Sequence, residues 1–328
     1  MRTHLATLAL STADRPAASS ATPPLARPRL PVLWLLASGL CASAFACSAS
    51  ASDGFSGDGK NDTVLEGGRL VFRSDLAMQV DQCDTDCADV DGDGLVDAWE
   101  DQLLERMRPV VRFDEAEKIL SDPTGKVGMV ARVFPVSLDP VEIHVLIELG
   151  YSNDYGTCFG ITEHHGDSER VGMRLVALPG RPHDLVVSGL YTAAHEHTPN
   201  EHSKLHEGDD LLRIETRREL GGPRWVVFSS RNKHATYFTL SDCESSFIPC
   251  VQEDCSPDRV ADPAKFDVVP PFVNAGEPTA HRVDDLAVVG FPGDDAWIDQ
   301  RFCGGLARNN LCAEPTVEKL TSDPFIKL

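Results

Sequence analysis

The chain has 328 residues, enough for one or two domains with a sizeable core, and 42% of them are hydrophobic. Its formal charge is −21. So acidic a surface argues against nucleic acid as a partner and against electrostatic docking on anionic lipid, and it suits cation binding outside the cytoplasm.

The N-terminus carries Arg2, Arg15, Arg27 and Arg29 and then an apolar run from Leu30 to Ala46. The run ends in Ala44-Phe45-Ala46, a small-x-small cleavage pattern, so residues 1–47 read as an export signal. Cys47 follows at once, and Ala44-Phe45-Ala46-Cys47 resembles a bacterial lipobox with Ala44 and Phe45 as departures from it. The chain is therefore expected to be extracytoplasmic, either an outer-membrane lipoprotein lipidated at Cys47 or a secreted protein. A membrane would be met only through that lipid. Cysteines Cys83, Cys87, Cys158, Cys243, Cys250, Cys255, Cys303 and Cys312 remain after the signal. In an exported chain they point to disulfides, with pairings expected inside the groups Cys83/Cys87, Cys243/Cys250/Cys255 and Cys303/Cys312. Cys-x-x-Cys pairs are absent, which argues against zinc.

Residues 48–80 begin small and polar and read as a flexible linker, with a short strand near Arg69 to Phe72. Residues 81–108 hold the most specific motif, Asp89-Val-Asp-Gly-Asp-Gly-Leu-Val-Asp-Ala-Trp-Glu100. Calcium takes six to eight oxygen ligands, and an EF-hand loop supplies them from its first, third, fifth, seventh, ninth and twelfth positions with Gly at the sixth. Asp89, Asp91, Asp93, the Leu95 carbonyl, Asp97 and Glu100 fill those positions, and Gly94 takes the turn. A helix from Ala98 to about Met107 follows, with Trp99, Leu103, Leu104 and Met107 on one face. Cys83 and Cys87 occupy the place of an entering helix, so the expectation is a half EF-hand similar to dockerin and thrombospondin type 3 loops.

From Pro109 the hydrophobic period changes to two. Strands are expected at Val127–Val136, Val141–Leu149, Arg170–Ala177, Asp184–Tyr191, Leu211–Arg217, Arg224–Ser229 and Ala235–Leu240. Residues 109–242 thus read as a β-sandwich core. Residues 243–328, rich in Cys and Pro, read as an irregular, disulfide-stapled extension packed on it. The fold class expected is mainly β, with the calcium loop and helix on its N-terminal side.

A second constellation is Glu163-His-His-Gly-Asp-Ser-Glu169, where Asp167 and Glu169 share one face of the strand that follows His164. Carboxylates beside imidazole suit a divalent metal or acid–base chemistry, and equally a polar turn. This segment, with VVSGLYTAAHEH and PRWVVFSSRNKHATYFT after it, resembles the core of the vacuolar protein sorting-associated protein 62 family. That family is in turn similar to the necrosis- and ethylene-inducing peptide-like cytolysins. The resemblance covers about residues 150–240. It implies a β-sandwich and a second divalent cation, Mg2+ or Ca2+, held by His164, Asp167 and Glu169. Asp154 would be a further acidic ligand, His234 of the matching late His-Ala element His234-Ala235 a further member of the same metal site, and His195 matches the strand-end His. Ser168 stands where the hallmark has Trp, and Lys233 where it has Ser.

His195, His197, His202 and His206 form a loop cluster that could clamp a transition metal or be solvated. Neither G-x-S-x-G, H-E-x-x-H nor a Walker loop occurs. The leading expectation is an exported calcium-binding protein that is not an enzyme. Its sandwich would recognise a cell-surface glycan or lipid. The alternatives are a metal-dependent hydrolase using His164, Asp167 and Glu169, and a structural cell-surface protein.

Overall fold

The computed structural model describes residues 63–156, 163–194, 196, 201–218, 222–243, 253–255, 263–274, 319 and 322–326. Residues 1–47 with the lipobox, the first part of the linker, His195, His197, Cys158, Cys250, Cys303 and Cys312 lie outside them. The fold is mainly β, built from largely antiparallel sheets, and among the described residues two disulfides join Cys83 to Cys87 and Cys243 to Cys255. Among the described residues no helix is long and apolar enough to cross a membrane.

The first departure from expectation is in the linker. From Thr63 onward it forms a hairpin of β1 (Thr63–Glu66) and β2 (Arg69–Arg73). Gly67 and Gly68 sit at φ 58° and 81°, the left-handed pair that a two-residue hairpin turn needs. Leu70, Val71 and Phe72 are buried, which gives the hairpin a reason to fold. A 3-10 turn at Val80–Gln82, the calcium-type loop and α1 (Asp97–Met107) follow. Pro109 ends the helix, because the residue before a proline is pushed out of the helical region; Arg108 has ψ 142°.

The remaining elements in order are β3 (Val110–Arg112), a 3-10 turn at Lys118–Leu120, β4 (Val127–Leu138), β5 (Val141–Asp154), β6 (His164–Leu178) and β7 (Arg181–Thr192). After these come β8 (Lys204–Glu207), β9 (Thr216–Arg217), β10 (Arg224–Ser229), β11 (Thr236–Tyr237), α2 (Leu240–Cys243), β12 (Asp267–Val268) and β13 (Phe272–Asn274). The strand expected over Leu211–Arg217 is replaced by a 3-10 turn at Gly208–Arg213 and the short β9. Its apolar residues follow the turn's spacing: Leu211 and Ile214, three apart, are buried, while Leu212 is exposed.

The larger sheet has eight strands in the order β1-β2-β7-β6-β5-β4-β13, with β8 on the far part of β7. The smaller has five, β11-β10-β3-β12 with β9 beside β10. Ile143, Val145, Ile147, Leu149 and Tyr151 of β5 enter one hydrophobic cluster with Val111, Phe113, Trp225, Val227 and Phe238 from the other sheet and its neighbours. Helix α1 adds Trp99, Leu103, Leu104 and Met107 to the same cluster. Trimming one methyl group there by Ile147→Val should lower the unfolding free energy by about 0.5–1.5 kcal/mol in urea titrations; no change would place Ile147 outside the core.

The opposite face of the large sheet is also covered. His144, Leu146 and Glu148 alternate with the core residues of β5, and each is buried. Their cover includes the C-terminal segment Ser322–Phe325, which sets Asp323 against His144 and Phe325 against Gly172 and Gly189.

Candidate functional site

The calcium-type loop is organised by its first residue. Asp89 Oδ1 accepts hydrogen bonds from the amides of Gly92 (2.6 Å) and Asp93 (3.1 Å), and Oδ2 accepts one from Gly94 (3.1 Å). Gly92 and Gly94 take φ of 78° and 93°, which curls the loop around its own carboxylates. Asp97 Oδ1 accepts from Val90 N at 3.1 Å, so the ninth position folds back toward the loop. The chain then crosses itself: Val80 N donates to Gly94 O (3.1 Å) and Val96 N donates to Met78 O (3.0 Å). These bonds flank Leu95 and leave its carbonyl outside the bridge. In place of an entering helix there is only the Val80–Gln82 turn, followed by the Cys83–Cys87 disulfide.

Two trios of carboxylates, Asp89/Asp91/Asp97 and Asp91/Asp93/Glu100, bring ligand atoms within 4.8 Å of one another. Glu100 is the informative member. It lies in the first turn of α1, only 1% exposed, and its Oε1 meets no hydrogen-bond donor. Burial, then the charges of Asp93 and Asp91, pushes its carboxyl up to about 9. Without a cation the protein therefore holds this group neutral among like charges, an arrangement that a divalent ion would reverse.

The second constellation is brought together around a buried histidine. Strand β6 carries Asp167 and Glu169 beside the inward-facing Tyr151 and Leu149 of β5. The tight turn Ser230–Ala235, between β10 and β11, inserts His234 against them. His234 is fully buried and has φ 63°, a left-handed conformation rare outside glycine that here turns its imidazole inward. Its Nδ1 lies 3.3 Å from Asp167 Oδ2, its Nε2 lies 3.6 Å from Glu117 Oε1, and its ring stacks on Tyr151 at 4.1 Å and 7°. Burial alone would lower its pKa, but Asp167 and Glu117 outweigh burial and raise it to about 10. That direction favours the imidazolium at neutral pH, with Nδ1 facing Asp167 and Nε2 facing Glu117 beyond hydrogen-bond distance. In this state the ring has no lone pair to give a metal.

Glu117 is buried, which would raise its carboxyl, yet His234 and the amides of Asn232 and Ile119 hold it below the usual carboxylate range. Glu169 goes the other way. Its burial, helped by the nearby charges of Asp167, Glu253 and Glu196 and opposed by Lys319, pushes it well above the usual range. Asp154 Oδ1 accepts from Gly156 N at 2.5 Å, and β pairing sets Asp154 opposite His164 in register. The side chain of His164 is outside the described atoms. Among the described residues, the three-ligand groups do not include Asp154, Asp167, Glu169 or His234. In the histidine-rich loop, His206 is buried 3.5 Å from Asp242, whereas His202 is exposed.

Sequence reasoning missed Glu117 and Tyr151. Tyr151 continues the inward alternation of β5 two residues past the expected strand end, and that alternation could have signalled it. Glu117 sits in an acidic turn with no periodic signal, and only the fold joins it to His234. Comparison with protein-family models, curated proteins and solved structures finds no match to this chain.

Proposed function

We propose that this is an exported, calcium-stapled protein of β-sandwich architecture whose Asp89–Glu100 loop binds one calcium ion for structural purposes. The observation that carries the reading is Glu100: a buried carboxyl with an unsatisfied oxygen, set within ligand distance of Asp91 and Asp93. Asp89, Asp97 and the Leu95 carbonyl complete an oxygen set of the size calcium takes. The staple acts through α1. The loop delivers Glu100 into the helix's first turn, and the same helix sets Trp99 edge-on to Phe72 of the hairpin and accepts a 2.7 Å bond from the Trp225 indole to Met107 O. The ion would therefore fix the hairpin, the helix and both sheets together. The buried residues that the two sheets share support the sandwich reading, and the disulfides suit an oxidising compartment.

A structural role has more support than glycan recognition or hydrolysis. The exposed large hydrophobics described are Leu76, Val90, Leu120, Val136, Leu212 and Ile326, none of them aromatic, whereas sugar and headgroup sites favour aromatic rings. His234 is buried between Asp167, at 3.3 Å, and Glu117, at 3.6 Å.

Terbium titration of the full chain tests the reading, because Trp99 lies next to Glu100 and can sensitise a bound lanthanide. One site per chain is expected, displaceable by calcium and lost in Asp91→Ala. Emission that persists unchanged in Asp91→Ala would overturn it.

A further inference from the structure

The outer face of the large sheet is built around a short turn from the chain's own C-terminus, and each part of that turn has a dedicated partner. Asp323 is fixed from two sides. Its Oδ2 lies 2.7 Å from His144 Nδ1, while its Oδ1 accepts the Phe325 amide at 2.9 Å, closing the turn on itself. Glu142 Oε1 lies 2.9 Å from the other nitrogen of His144 and so orients the ring. Pro324 and Phe325 press onto Gly172, where an added Cβ would meet the Phe325 ring at 3.2 Å and Pro324 Cγ at 3.3 Å. Gly189, on the neighbouring strand, would meet the same ring at 3.4 Å. Gly172 leaves the ring room that a Cβ would crowd, and Gly189 lines the other side of the slot.

Three further groups close around the turn. The Arg174 guanidinium stands 5.8 Å over the Phe325 ring, and the His144 ring lies 4.7 Å from it. Arg170 donates from Nη1 to the Ser322 carbonyl and to Ser322 Oγ, both at 2.8 Å, and to the Lys319 carbonyl at 3.3 Å. Lys319 returns an ammonium to Ser168. Ile326, one residue on, is 74% exposed. None of residues 322–326 pairs in either sheet. Among the described residues, the contacts that seat the turn come from side chains and not from a backbone ladder.

We infer that the outer face of β5, β6 and β7 is a peptide-binding site specific for an Asp-Pro-Phe turn, filled in cis by residues Ser322–Phe325 of this chain. The carboxylate is read by His144, the aromatic ring by the Gly172/Gly189 slot under Arg174, and the backbone by Arg170. The tail is the site's own ligand, and a free peptide of the same sequence competes with it. This inference is independent of the calcium reading.

The test uses a fluorescent peptide of sequence Thr321–Leu328, blocked at its C-terminus, and full-length chains. A chain carrying Asp323→Ala and Phe325→Ala empties the site and is expected to bind the peptide in anisotropy titrations. The wild-type chain, whose tethered tail competes, is expected to bind it at least about tenfold more weakly. Adding Gly172→Val to the emptied chain, which fills the slot, should abolish binding. Absence of binding to the emptied chain, or equal binding after Gly172→Val, overturns the proposal. A second measurement uses only the wild type: excess blocked peptide should speed chymotryptic cleavage after Phe325 of the chain's own segment, and an unchanged cleavage rate at that bond also overturns it.

Discussion

Glu100→Gln is expected to reverse its effect on stability according to whether calcium is present. In chelator the variant should unfold at or above the wild-type temperature. Gln reproduces the shape of the neutral carboxyl that burial and the charges of Asp93 and Asp91 impose on the calcium-free loop, and it removes any residual repulsion. In millimolar calcium the order inverts, because an amide cannot supply the bidentate anionic ligand of the twelfth position. The size follows from mass action. A site filled at about a hundred times its dissociation constant stabilises the folded state by about 2.7 kcal/mol. In a domain of this size that raises the melting temperature by roughly 5–10 °C. Wild type should show this shift between chelator and calcium, and Glu100→Gln should show little of it. A variant that keeps the full calcium-dependent shift would remove Glu100 from the ligand set. A wild type with no shift would remove the staple itself.

The loop was legible because its chemistry is local: each expected ligand follows from position in one short stretch, and the Asp89 turn that presents them is made by the same stretch. The central strands were legible for a similar reason, since Ile143, Val145, Ile147 and Leu149 announce a buried face by alternation alone. What failed had a tertiary cause. Of the hairpin, β2 answers the short strand expected near Arg69 to Phe72, while β1 hides in a polar linker because it is short, although the Gly67-Gly68 pair between Leu65-Glu66 and Arg69-Leu70 was a usable signal. Leu211–Arg217 has strand composition, yet the core takes Leu211 and Ile214 on a 3-10 spacing. His144 and Glu148 look like a solvent face in sequence. They are buried in a face to which a segment some 180 residues away adds its Asp323 and Phe325, and strand periodicity carries no information about such a cover. The second constellation was half legible: Asp167 and Glu169 share a face by alternation, but Glu117 reaches His234 only through the fold.

His234→Ala should be among the most damaging single substitutions in the chain, with a loss that shrinks as pH rises. At neutral pH it strands the carboxylates of Asp167 and Glu117 without their cation, and breaking a buried pair in this way costs about 3–5 kcal/mol. The pH dependence follows from the direction of the shift. The folded imidazole is raised from its ordinary 6.5 to about 10, so its contribution is complete below 6.5 and is lost as pH rises toward 10. Glu169, raised mainly by burial, adds to the same alkaline loss, because its proton is also held more tightly in the folded state. Glu117 is lowered and acts at the other end, where its contribution is lost as pH falls below the usual carboxylate range. Urea titrations in saturating calcium should therefore show wild-type stability declining from neutral pH to about pH 10. His234→Ala should start lower and decline less, so that the two curves converge. Adding Asp167→Asn to His234→Ala should recover part of the neutral-pH loss, since the stranded charge goes with it. Curves that stay parallel across this range would mean that His234 is neutral in the fold. The 4.1 Å stack on Tyr151 would then be an ordinary ring contact and not a buried cation held between two carboxylates.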